Sequence, residues 1–180
     1  MSPTPTPSDA SLAEIKRLRD ALIEAEFGDA SDMIGCDDDQ IAQVAAAAEF
    51  PLPDGYVAFL KVLGRKAGAL FQGGHFYYPE PLNAIEVARD ISEEPDENLT
   101  LPDRFFFGHH QGYKVFFFEK GSPAVYVYQE GHPEIQRLGD TFLSWLWLVF
   151  DRTRSVREET KRLRAENEAT RAKMREEGKL

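Results

Sequence analysis

The sequence predicts an α+β fold: a mostly antiparallel β-sheet flanked by helices, with an extra N-terminal helix and a charged C-terminal helix. Two observations carry this. Arg104–Glu130 (RFFFGHHQGYKVFFFEKGSPAVYVYQE) reads as three short strands, about 104–108, 113–119 and 124–129, joined by turns at Gly108–Gly112 and Gly121–Pro123. Strand alternation places Tyr113, Val115 and Phe117 on one face and Lys114, Phe116 and Phe118 on the other. Neither face is cleanly polar, so both need cover, and helical patterns on either side of the meander supply it.

Taken in order, residues 1–10 begin MSPTPTPS, with alternating prolines and no apolar anchor, and read as a disordered leader. The segment 11–33 holds a helix over about 12–27, its stripe Leu12, Ile15, Leu18 and Leu22, its start a capping box of Ser11 with Glu14. Asp37–Phe50 reads as a second helix, with Asp37, Asp38 and Asp39 at its positive dipole end and Cys36 at a capping position. Pro51 and Pro53 form a stiff elbow into a third helix over 54–63, stopped by Gly64. In it Tyr56, Phe59, Leu60 and Leu63 recur at i, i+3, i+4, i+7 as a core stripe. A hairpin is expected from 68–71 and 75–78 around Gly73-Gly74. A short helix capped by Asn83 and Glu86 follows to Ile91, and then an acidic exposed loop over 92–103. Gly131–Gly139 reads as loop, and Thr141–Phe150 as an apolar helix carrying Trp145 and Trp147. From Asp151 the composition turns to Arg, Glu and Lys. The segment 151–180 has too few apolar positions for a coiled coil and reads as a solvated helix.

Charge narrows the function classes. The net charge is −10, and residues 36–103 hold 13 acidic side chains against four basic ones. Phosphate must be met by Lys and Arg, so this surface excludes nucleic acid and suits a basic partner. The longest apolar run, 142–150, is far short of the ~20 residues a membrane span needs, and no signal peptide is visible. With a lone cysteine, the chain is expected to be cytoplasmic.

Motifs for chemistry are largely missing. Three consecutive aspartates on a helix point in different directions and cannot converge on one ion. His109-His110 could be drawn with a carboxylate as a metal-dependent hydrolase site, but adjacent residues on a strand diverge. No catalytic residues, metal site or cofactor are expected. The residues expected to meet a partner are Asp37, Asp38, Asp39, Glu93, Glu94, Asp96 and Glu97, with Phe116, Phe118 or Tyr128 as aromatic anchors if one sheet face is open.

The run Gly35–Gly64 (GCDDDQIAQVAAAAEFPLPDGYVAFLKVLG) resembles the opening of the SUKH superfamily, the Smi/Knr family in particular. The matching positions are Phe50, Leu52, Pro53, Tyr56, Phe59, Leu60 and Gly64. The resemblance extends over about 34–150, through the aromatic meander to the closing Trp helix. It implies an α+β domain and a non-catalytic binding role. Bacterial members are typically immunity proteins that neutralise a cognate polymorphic or contact-dependent toxin, often a nuclease, and eukaryotic relatives are regulatory scaffolds. The implied partner is a basic toxin protein, with the oligomeric state left open.

Overall fold

The computed structural model describes residues 4–95 and 97–176. The chain divides into two units, the second beginning at Leu148.

The first unit is α+β. Its helices are α1 (Asp9–Glu24), α2 (Asp38–Ala47), α3 (Asp54–Leu63), α4 (Glu80–Glu93) and the opening turns of α5 (Phe142–Glu176). A two-stranded sheet pairs β1 (Met33–Ile34) with β2 (Lys66–Ala67). The main sheet has five antiparallel strands in sequence order: β3 (Gly74–His75), β4 (Arg104–His110), β5 (Lys114–Glu119), β6 (Val125–Gln129) and β7 (His132–Gly139).

The expected meander forms, and both of its faces are covered. Alternation sends Phe106, Val115, Phe117 and Tyr128 to one side, where Ala84, Ala88 and Ile91 of α4 and Leu99 close over them. The opposite side carries Phe105, Phe107, Phe116 and Phe118 against α3 and the start of α5. Tyr56 is the hub there. Its ring centroid lies 5.0 Å from Phe142, 5.1 Å from Phe118 and 5.4 Å from Phe107. These offset and edge-on contacts are the arrangements that aromatic quadrupoles favour. The expected stripe of α3 is realised, with Tyr56, Phe59, Leu60 and Leu63 all buried.

Several boundaries differ, each for a local reason. Helix α1 is capped by Ser8, whose side chain accepts from the Ser11 N–H, so the cap lies three residues before the expected one. Ser11 is freed to donate its hydroxyl to Asp54 across the gap to α3. Helix α2 is capped by Asp37, in a reciprocal pair with Gln40, and not by Cys36. Cys36 is buried, and its N–H donates to the Leu60 carbonyl. The hairpin expected around Gly73-Gly74 does not form. Lys66–Ala67 pairs back to β1, while Gly74–His75 pairs forward to β4. Helix α4 begins at Glu80, just after a cis Tyr78–Pro79 bond, earlier than Asn83. Gly131–Gly139, expected as loop, contains the edge strand β7. Its polar sequence hid it, because an edge strand with solvated faces loses the apolar alternation that marks a buried one.

Gly108 sets the entry to the region of interest. A β-bulge falls between Phe106 and Gly108, and a Cβ on Gly108 would lie 2.3 Å from the Phe76 ring and 2.8 Å from the His75 carbonyl. Its missing side chain lets β3 approach β4.

In the second unit, α5 continues as a helix to Glu176, and residues 151–175 are mostly exposed. Its ion pairs follow helical spacing: Arg154 with Asp151, and Arg162 with both Glu159 and Glu166.

Candidate functional site

The acidic residues expected to meet a partner lie on separate elements. Asp37, Asp38 and Asp39 form the exposed cap and first turn of α2. The Asp37 side chain accepts from the Gln40 N–H at 2.8 Å, and Asp38 receives Lys61 Nζ at 2.5 Å. Glu93 and Glu94 are exposed at the end of α4. Asp96 lies outside the described residues.

Glu97 has a different job. It accepts the hydroxyl hydrogen of Tyr128, and its other oxygen accepts the Gly131 N–H at 2.7 Å. The Tyr128 hydroxyl in turn accepts from the Asn98 N–H at 3.2 Å. The Tyr128 hydrogen bond, followed by that of Gly131, holds the Glu97 carboxyl below its ordinary value. Glu97 therefore clamps the acidic loop to the β6–β7 turn, which occupies both of its oxygens.

The aromatic anchors are corrected as well. Phe118 and Tyr128 are fully buried, one under α3 and the start of α5, the other in the α4 cluster. Phe116 is half-buried, its ring 5.0 Å from Phe76 and 5.8 Å from Trp145. The anchors required an open sheet face, and helices cover both.

The histidine pair also separates. His109 and His110 are neighbours on β4 and diverge as strand residues must. His110 meets the Tyr113 ring edge-on at 6.0 Å. His109 sits opposite His75 of β3, with the two imidazoles stacked 4.4 Å apart and 11° from parallel. Glu80, in the first turn of α4, places Oε2 3.8 Å from His109 Nε2 and 4.0 Å from His75 Nδ1. His109 Nδ1 is buried without a hydrogen-bond partner among the described residues. Burial, with His75 adding to it, lowers the His109 pKa below the ordinary histidine value. His75, Glu80 and His109 are the one group of three or more potential metal ligands that converges among the described residues. Sequence reasoning missed it because Glu80 comes from a helix, and because the strand pairing that brings His75 to His109 joins residues 34 apart.

The first unit is thus an α+β domain with both sheet faces covered and exposed acidic residues at the α2 start and the α4 end. Residues 35–147 match the SMI1 / KNR4 family (SUKH-1), and the chain belongs to that family. Comparison with curated proteins and with solved structures gives no match. No helix among the described residues is long and apolar enough to cross a membrane.

Proposed function

We propose that this protein is a non-catalytic binding module, and specifically an immunity protein that binds and neutralises a basic cognate toxin. Membership of the SMI1 / KNR4 family carries the reading, since its bacterial members typically play this part. The distribution of charge supports it. With both sheet faces sealed and Glu97 committed to its clamp, the acidic residues expected to meet a partner that stay exposed among the described residues are Asp37, Asp38, Asp39, Glu93 and Glu94. A toxin that cuts nucleic acid must present Lys and Arg to its substrate. An acidic inhibitor then gains faster, steered encounter and selects against acidic partners.

The test is association of the purified protein with the toxin encoded beside its gene, at low and high salt. Glu93→Lys with Glu94→Lys is expected to slow association and flatten its salt dependence. An unchanged rate would sink the acidic-surface mechanism. Absence of any toxin whose killing this protein suppresses would favour instead a regulatory scaffold of the Smi/Knr kind. A hydrolase built on His109 and His110 is disfavoured by their divergence on β4.

A further inference from the structure

We propose that His75, Glu80 and His109 form a binding site for a divalent transition metal of the zinc class, fastening the sheet edge to α4. The site does not depend on the immunity reading and stands or falls separately.

The geometry shows an incomplete set of contacts. Each imidazole has a ring nitrogen near the same carboxylate oxygen, at 3.8 and 4.0 Å, which is beyond hydrogen-bonding length for either. One ligand atom from each of the three lies within 4.8 Å of the others. An ion bound at roughly 2.0–2.2 Å in a tetrahedral shell needs its donors about 3.4 Å apart. The carboxylate oxygen thus stands too far from either imidazole to bond it, and the three donors must draw in from within 4.8 Å to about 3.4 Å to hold an ion.

The remaining closure falls on the side chains able to supply it. The side chains of His75 and Glu80 are 52% and 37% exposed, whereas that of His109 is 13% exposed and fixes one corner. His75 must also turn out of its stack, because its lone pair lies in the ring plane. Two imidazole nitrogens and one carboxylate oxygen suit zinc, cobalt or nickel, and not calcium or magnesium, which take oxygen ligands. Three protein donors leave a fourth position open to water or to a partner's side chain.

The place in the fold gives the ion its purpose. β3 is the outermost strand of the main sheet on that side and consists of Gly74 and His75 alone. Two residues of pairing hold it weakly. Glu80 belongs to α4, which packs over the sheet. An ion shared by β3, β4 and α4 would tie the shortest strand of the main sheet to the two elements beside it.

The test uses the full chain, stripped by chelator, with Zn²⁺ and Co²⁺ alone as probes. One zinc per chain is expected by calorimetry, together with visible ligand-field bands of tetrahedral cobalt and a rise in Tm that grows with free zinc. His75→Ala changes an exposed residue and Glu80→Gln is isosteric at a half-buried one, so both should leave the circular dichroism intact. Each should weaken zinc by at least the roughly ten- to hundredfold that losing even an outer-shell partner costs. His132→Ala, an exposed histidine on β7, should change nothing. Equal binding by His75→Ala, Glu80→Gln and the parent chain would mean an adventitious ion only. That result, or no binding at all, overturns the site.

Discussion

Two helical segments lie outside the family-matched region 35–147, and they behave oppositely. Helix α1 buries Ile15, Leu18 and Leu22 completely against the first unit, where it packs on α3. It is also tied through its N-terminal turns. The Asp54 carboxylate accepts from the Ser8 N–H, the Ser8 hydroxyl and the Ser11 hydroxyl, and Glu14 accepts the Trp147 indole N–H at 2.7 Å. The stretch of α5 beyond Asp151 has a similar charged composition, yet Val156, Leu163 and Met174 remain exposed. What separates them is the spacing of a few apolar residues. Ile15, Leu18 and Leu22 fall at i, i+3 and i+7, a continuous stripe over two turns, whereas Val156, Leu163 and Met174 lie two to three turns apart and leave gaps between them. A charged helix docks when it has such a stripe, whatever the rest of its surface.

The sharpest way to break the contrast is to truncate the stripe. Leu18→Ala is expected to cost roughly 2–5 kcal/mol in urea unfolding, as a fully buried leucine should. Leu163→Ala, the matching change in the exposed helix, should stay within about 0.5 kcal/mol. Equal effects would show that the tail is buried in an assembly. Next in size is Asp54→Ala, which removes three hydrogen bonds from the α1–α3 junction and should cost about 1–2 kcal/mol.

Acid should loosen a different tie. Burial raises the Glu97 value slightly, but the Tyr128 and Gly131 hydrogen bonds outweigh it, so the native carboxyl titrates below its ordinary value of 4.5. A depressed native value means stabilisation that is complete above the unfolded value and lost as pH falls through the native one. Stability measured from pH 6 downward should therefore decline below about pH 4.5, and Glu97→Gln should flatten that decline. An identical pH dependence in the variant would refute the clamp. The smallest effect is expected from a stop after Arg154. It removes exposed ion pairs worth ~0.3–0.5 kcal/mol each and should leave Tm within a few degrees.

The parts of the fold legible in the sequence were those with strong periodicity. The α3 stripe is one, and the aromatic strands of β4 to β6 are another, where alternation and turn glycines agree. β7 escaped notice because its solvated edge carries no such pattern. The short strands β1, β2 and β3 are two residues each, below the length at which any period can be read. At the site, the exposed aspartates of α2 could be placed at its start from their acidic run, although the cap itself is Asp37 and not Cys36. The bond from Tyr128 to Glu97 could not, because it joins residues 31 apart through a turn whose geometry the sequence leaves open. Sequence adjacency likewise groups His109 with His110, whereas the β3–β4 pairing sets His109 against His75.

Cys36 is the chain's lone cysteine, and its burial beneath α3 has a chemical consequence. Burial pushes its thiol pKa up to about 11. At pH 7 the thiolate fraction is then on the order of one in ten thousand, and the sulfur is shielded besides. Alkylating reagents should leave the native protein untouched and label it only when the packing around Cys36 opens. The chain thus carries a built-in unfolding clock, in which the rate of thiol modification reports how often its interior meets solvent.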